Sequence, residues 1–393
     1  MYDVIVVGGG PAGSYVAGEL AGMGHRVAVL ERRKHPGGKL CAGIISEECV
    51  RHFAIEDNVI LRRVNSVRLL SPSGKLIRLW REKTQACILD RAAFDQALAK
   101  HAQDKGADYL LDSEARNISI SDSGVIVEVA GQRGEAGLEA SAVVIAAGFG
   151  SKLVEELGLP KISDFVMGIQ AEVETTGVEE IEVYFSQEIA PGFFAWLTPT
   201  SSQRALVGLL TRHNPQFYIK KLMLSLLAQG KIVSAEVEPD YAGISLKPLS
   251  KTYGERVIVI GDAAGQVKPT TCGGIYYTLL CAEIAANTLH QALRGNDLSA
   301  KALAGYQRKW RRRLGRELEI GYYARRFYER LSDHQIDRLF DIIISQGIDE
   351  TLLKAEDLFF DWHGTAILGL MGHRAVSKAV ELMKTPFRLG RKS

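Results

Sequence analysis

The sequence predicts an α/β fold: a Rossmann-like dinucleotide-binding domain built from discontinuous segments, an inserted, mainly antiparallel β-sheet domain, and a C-terminal helical region. Three observations carry this. An apolar run, a glycine turn and a helical pattern open the chain; a second buried-strand pattern ending in Gly261-Asp262 returns far downstream; and residues 166–250 alternate short strand-like runs with turns. At 393 residues the chain exceeds one ordinary core. The expected division is 1–62, 81–165 and 251–296 for the dinucleotide domain, 63–80 and 166–250 for a substrate domain, and 297–393 for the helical region.

Taken in order, Val4-Ile5-Val6-Val7 leads into Gly8-Gly9-Gly10-Pro11-Ala12-Gly13, a helix through Gly22, and a strand from Arg26 to Glu31, which together make one βαβ unit. Arg63 to Trp80 reads as a hairpin around Ser71-Pro72-Ser73-Gly74, followed by an amphipathic helix from Asp90 to Lys105. Val125–Val129 and Ala142–Ala147 are further strands, and a helix is expected near Phe217 to Ala228. Arg256 to Ile260 returns to a buried strand, and an apolar helix runs from about Gly273 to Leu293. From Asn296 onward the pattern is charged and helical.

Hydrophobic residues make up 46% of the chain and charged residues 24%, a globular composition that excludes a disordered or fibrous chain. With 48 Lys plus Arg against 46 Asp plus Glu, the formal charge of +2 gives no argument for nucleic acid. Cys41, Cys49, Cys87, Cys272 and Cys281 lie in no metal-ligand spacing, and an odd count spread this widely fits a reducing, cytoplasmic setting with neither disulfides nor metal. The N-terminus lacks the basic-then-apolar pattern of an export signal. The most apolar stretch, Thr271 to Leu289, is interrupted by Glu283 and opened by glycines, so any membrane contact is expected to be peripheral. Residues 301–330 carry ten basic residues against three Glu, and Lys384 to Lys392 adds four more, a basic C-terminal third suited to an anionic lipid surface, an acidic ferredoxin or plain solvation.

Gly8-x-Gly10-x-x-Gly13 follows a strand and opens a helix, where glycines let the backbone approach a pyrophosphate. Glu31 stands 18 residues after Gly13, placed to accept hydrogen bonds from a ribose. The motif suits NAD or FAD alike. Asp262, delivered to the end of a strand ahead of Ala-Ala-Gly, either holds the ribityl hydroxyls of a flavin or caps the following helix, and on residues alone both readings stay open.

At this point the chain resembles the geranylgeranyl reductase family, digeranylgeranylglycerophospholipid reductase-like, within the flavoproteins of p-hydroxybenzoate hydroxylase type. The resemblance rests on the N-terminal glycine motif, Leu40-Cys41-Ala42-Gly43, Leu89-Asp90-Arg91 with Phe94-Asp95, Ala146-Ala147-Gly148, Gly192 to Pro199, and the block from Gly261-Asp262 through Pro269 to Gly273-Gly274-Ile275-Tyr276-Tyr277. It implies FAD held by Gly8, Gly10, Ala12 and Gly13 at the phosphates, Glu31 at the ribose, Cys41 and Ala42 beside the flavin, Arg91 near the pyrophosphate, Ala115 at the adenine, and Asp262, Gly274 and Ile275 along the ribityl chain and ring. Phe194 to Pro199 is similar to the family's Tyr-x-Trp-x-Phe-Pro signature, with Phe194 for Tyr and Thr198 for Phe. Cys272 stands where the family usually carries glycine, so Phe194, Trp196, Pro199 and Cys272 are the expected substrate pocket.

The function implied is FAD-dependent reduction of carbon–carbon double bonds in a geranylgeranyl chain on a lipid or a diphosphate, with electrons from NADPH or reduced ferredoxin and Cys41 as proton relay. The alternatives are a flavin monooxygenase or halogenase of a small aromatic substrate, and a flavin-binding protein without turnover. The Trp196 signature with Gly273-Gly274-Ile275 favours the reductase. A second nucleotide fingerprint is missing from the sequence, so a nicotinamide would bind only transiently.

Overall fold

The computed structural model describes residues 1–131, 134–354, 360–374, 376 and 377. Val4 to Val7 is apolar throughout, so both faces of the strand Tyr2–Val7 must be covered. The strand accordingly sits inside an eight-stranded sheet whose parallel part runs Val257–Val259, Gly134–Ile145, Tyr2–Val7, Val27–Leu30, Asp108–Leu110. Tyr253–Gly254 closes one edge, and Gly124–Gly131 with Ser113–Ser121 runs as an antiparallel extension of Gly134–Ile145. One face packs Val4, Val6 and Val29 beneath the helices Pro11–Gly22, Ile275–Arg294 and Ala300–Tyr328, through Leu20, Leu279, Tyr306 and Trp310. The other face packs Ile5, Val7 and Ile145 against Val125 and Val127 of the extension. The α/β fold class is therefore as the sequence reads.

The inserted sheet has seven strands in the order Asp240–Ser245, Phe165–Glu174, Arg204–Thr211, Ala195–Pro199, Ile181–Tyr184, Ser66–Leu70, Leu76–Trp80. Every pairing is antiparallel except Ile181–Tyr184 against Ser66–Leu70. Period-two alternation turns Ala195 and Leu197 toward the helix Pro215–Ala228, where they meet Leu222 and Met223. A third sheet, Ile44–Ser46, Ala86–Leu89 and Ile60–Val64, bridges the two.

Beyond Asn296 the described helices are Ala300–Tyr328, Asp333–Ser345, Ile348–Lys354 and Gly364–Gly372. The basic run Lys384 to Lys392 lies outside the described residues.

One of the two readings left open for Asp262 is removed. Asp262 lies within the 3-10 turn Gly261–Ala264, and the long helix starts only at Ile275 behind Gly274, with no side-chain cap. Asp262 is therefore not a helix cap.

The end of strand Val257–Val259 is tied down by a fully buried polar chain. The Gly261 N–H donates to Gln266 Oε1 (2.9 Å), Gln266 Nε2 donates to the Tyr306 hydroxyl (2.7 Å), and that hydroxyl donates to the Val259 carbonyl (3.1 Å). Removing a partner from such a chain leaves buried groups unpaired. Tyr306→Phe is expected to lower stability by about 1–3 kcal/mol in urea unfolding, and an unchanged midpoint and slope would show the chain to be dispensable.

Candidate functional site

The glycine turn is forced by contact. A Cβ at Gly13 would overlap the Gly8 carbonyl oxygen, and one at Gly8, whose φ is +106°, would overlap the Ala146 carbonyl. With Pro11 opening the helix, no side chain capping it and no acid in the first turn, the Ala12 and Gly13 N–H groups are left for an anion. The space outside Gly10 is open. Glu31 is buried and accepts from the Gly9 N–H (2.9 Å) and the Arg33 N–H (3.0 Å), which leaves lone pairs for further hydroxyl donors. Ala115 follows two residues after Ser113, whose N–H donates to the Glu31 carbonyl (2.9 Å), so it belongs to the Glu31 end.

Arg91 follows Asp90, which caps its helix by accepting from the Ala93 N–H (2.9 Å). Its guanidinium grips the buried Asp95 carboxylate at 2.7 and 2.8 Å and lies against the Cys41 side chain. Arg91 Nε is buried without a partner among the described residues. A buried, orphaned donor on a cation beside Cys41 and Gly43 is what a phosphate-bearing ligand would satisfy.

Asp262 faces Gly274 across the next turn: its Oδ1 would stand 3.3 Å from a Cβ placed there. Its other oxygen is held by the Lys39 ammonium. The donors and the space thus fit a dinucleotide extended from Glu31, past Ala12 and Gly13, to Asp262 and Gly274.

The inserted sheet presents its aromatic wall to this loop. Phe194 and Trp196 lie with ring centroids 6.0 Å apart and, with Cys272 and Tyr322, pack on Val166, Phe193, Leu210 and Leu246. Trp196 is directly opposite Gly208 in register, where any Cβ would collide with the indole. The indole N–H donates to Gln170 Oε1 (3.1 Å), and Gln170 Nε2 donates to the Cys41 carbonyl (3.4 Å), so the wall is tied to the Cys41 loop. Phe194, Trp196 and Cys272 therefore come together. Pro199 does not join them, because it alternates to the opposite face with Ala195 and Leu197.

Cys272 has φ +57°, a left-handed conformation that favours glycine, and burial pushes its thiol up to about 12. Behind it, Arg325 donates from Nε to the Pro269 carbonyl (3.2 Å), from Nη1 to the Gly192 carbonyl (3.4 Å) and from Nη2 to the Thr270 carbonyl. Its guanidinium carbon lies 4.9 Å from the Phe193 ring centroid and 5.5 Å from that of Phe194. Among the described residues it has no carboxylate at ion-pair distance, and burial pushes its pKa down.

Sequence reasoning missed Lys39, Gln170 and Arg325. A signal existed for two: Gln170 interrupts the apolar inward run of its strand, and Arg325 continues the spacing of Leu314, Leu318 and Gly321 along the buried stripe of its helix.

The same loop is covered from outside by residues 360–364. His363 Nε2 donates to the Phe360 carbonyl (2.7 Å), and Nδ1 pairs with the Thr270 hydroxyl (2.7 Å), from which the neutral ring accepts. Burial first, and Lys268 second, push its pKa down to about 4.

Comparison with known proteins follows this geometry. Residues 1–317 match the profile of the FAD binding domain family. The chain is 31% identical over 375 residues to digeranylgeranylglycerophospholipid reductase 2 of Methanopyrus kandleri, covering 91% of this chain and 94% of that one. It is 31% identical to digeranylgeranylglycerophospholipid reductase of Methanocaldococcus jannaschii, with 90% and 93% covered. A geranylgeranyl bacteriochlorophyll reductase-like structure from Thermoplasma acidophilum superposes with a TM-score of 0.85 at 25% identity, covering 98% of both chains. A flavin-dependent brominase shares the fold at a TM-score of 0.70 and 16% identity, covering 98% of both chains.

The folded His363 stays neutral where the unfolded ring would take up a proton, so the stability it contributes is complete above pH ~6.5 and is lost as pH falls toward about 4. The melting temperature is expected to decline over that window less steeply in His363→Gln than in the parent. Superimposable pH profiles would remove His363 from the account.

Proposed function

We propose that this chain, which belongs to the digeranylgeranylglycerophospholipid reductase branch of the FAD binding domain family, reduces carbon–carbon double bonds of geranylgeranyl chains on a lipid, with FAD as its resident cofactor. One observation carries the reading: an aromatic and aliphatic wall of Phe193, Phe194, Trp196, Val166 and Leu210 stands beside the loop that runs through Cys272 into Gly274. An isolated alkene offers no carbonyl or ring substituent to grip. An apolar wall that excludes water and orients the chain against the loop is the appropriate receptor.

Bound FAD supplies the hydride. The chain supplies the rest. Ala12 and Gly13 would hold the pyrophosphate through their N–H groups, with Gly8 and Gly10 giving the approach, and Arg91 Nε would add a charge-assisted bond. Glu31 would accept from the adenosine ribose, with Ala115 lining the adenine side. Asp262 would accept from the ribityl hydroxyls, and the Gly274 and Ile275 N–H groups would face the ring. Cys41 and Ala42 would lie beside the ring, and the Cys41 carbonyl is tied through Gln170 to the Trp196 wall. Cys41 would deliver the proton to the second alkene carbon. Electrons would arrive from NADPH or reduced ferredoxin.

The substrate sits in a bilayer, and among the described residues no helix is long and apolar enough to cross one. We place peripheral contact on the helix Ala300–Tyr328, with its exposed Lys309, Arg311, Arg312 and Arg313, and on the apolar helix Gly364–Gly372 packed beside it.

Under anaerobic conditions, chemically reduced holoprotein mixed with a geranylgeranyl glycerophospholipid is expected to reoxidise with a two-hydrogen mass gain in the lipid. Cys41→Ala should slow that single turnover about 10²-fold or more at normal flavin content. Flavin that stays reduced under lipid yet reoxidises rapidly in oxygen with an aromatic acid would transfer the assignment to a monooxygenase. Vesicles rich in anionic lipid should bind the protein at low salt and release it at high salt; equal binding to neutral vesicles would remove the basic helix from the contact.

A further inference from the structure

We propose that Lys268 and Asp361 form a charge pair that positions the flavin-side loop and sets the reduction potential of the bound cofactor. Asp361 reaches the loop from the C-terminal segment Phe360–Gly364. The inference rests on the reading that Gly274 and Ile275 meet the flavin ring.

Both groups are buried, at 6% and 1% exposure, and Lys268 Nζ donates to Asp361 Oδ1 at 2.6 Å. The second oxygen, Asp361 Oδ2, is buried without a partner among the described residues. The pair is framed on all sides. The Tyr277 hydroxyl donates to the Asp361 carbonyl (2.9 Å), the ammonium lies 4.9 Å from the Phe360 ring centroid, and the Gly364 N–H donates to Glu317 Oε2 (2.7 Å). Trp362, between them in sequence, packs its ring on Tyr276 and Tyr277, the first residues after Ile275.

Lys268 is also the hinge of the loop. Its N–H donates to the Gly273 carbonyl (3.2 Å), and its own carbonyl accepts from the Cys272 N–H (2.8 Å). Its side chain lies across Gly273: a Cβ there would stand 3.1 Å from Lys268 Cε and 3.6 Å from Nζ, with no Asp361 atom among the three nearest. The pair thus presents its positive end to the Gly273-Gly274 backbone.

A buried ion pair is a poor way to stabilise a fold, because two apolar side chains fill the same volume without desolvating charge. Its consequence for a neighbouring redox group is direct. In a low-dielectric interior an adjacent positive charge favours the electron-rich state and an adjacent negative charge opposes it. Asp361 offsets part of the Lys268 charge, so the docked segment holds the potential between two extremes.

The test uses FAD-loaded protein, with the potential read by spectroelectrochemistry. Lys268→Met is expected to lower the potential and Asp361→Asn to raise it, each by at least a tenfold change in the ratio of affinities for reduced and oxidised FAD, about 30 mV for a two-electron couple. Lys268→Arg should keep the parent value. Opposite signs separate the proposal from a structural role, which would move both variants alike. Shifts of one sign, or none, overturn it. Where a single variant does not fold, Lys268→Met/Asp361→Leu decides: a potential below the parent supports the pair, and an unchanged one refutes it. A parent protein that binds no FAD would instead bring down the flavin reading itself.

Discussion

A buried guanidinium is usually met by a carboxylate; Arg325 is met by the carbonyls of Gly192, Pro269 and Thr270 and by the faces of Phe193 and Phe194. Those three carbonyls belong to two distant segments, the loop after Asp262 and the turn before the Trp196 strand, and Arg325 belongs to a third. One side chain therefore fixes the distance between the dinucleotide domain, the aromatic wall and the long C-terminal helix. A carboxylate partner would neutralise the charge but engage only itself. Carbonyls spread the donors over the parts that must stay in register, at the cost of a cation desolvated with no carboxylate at ion-pair distance among the described residues.

Around this clamp, the remaining polar contacts are arranged in series. Gln266 and Tyr306 hold the start of the loop to the end of the parallel sheet, Gln170 holds the wall to Cys41, and Asp361 and His363 close the loop from outside. Each contact is buried or half-buried, and all but the Gly261–Gln266 bond join segments far apart in the chain. Groups brought to one loop from several directions need this, because no single local motif can supply them all. The result is a loop, Lys268 to Gly274, with little freedom of its own.

The parts of the site that lie within one βαβ unit were legible in the sequence, because their signals are local: a glycine whose Cβ would strike the preceding turn, and an acid at the end of the next strand. The parallel strand ending before Asp262 was legible for the same reason. Asp262 itself was ambiguous, since a capping Asp and a ligand-holding Asp share the same neighbours, and only the start of the helix at Ile275 separates them. Lys39, Gln170, Arg325 and Asp361 were not found because each is defined by a partner remote in sequence. Pro199 was grouped with Trp196 by the motif it closes, whereas strand alternation turns it away. A motif records what recurs together; the pleat decides what faces together.

Two of the departures from the family signature, at Cys272 and Thr198, approach the Phe194 and Trp196 pair from the loop and from the strand. Cys272 keeps a left-handed backbone that a glycine would adopt freely, a strain on the order of 1–3 kcal/mol, and so brings a side chain into the cluster of Phe194 and Trp196 from the loop side. Thr198, on the same strand face as Trp196, is fully buried, and its hydroxyl has no partner among the described residues. Where the signature has a phenylalanine ring, the strand side has therefore lost volume.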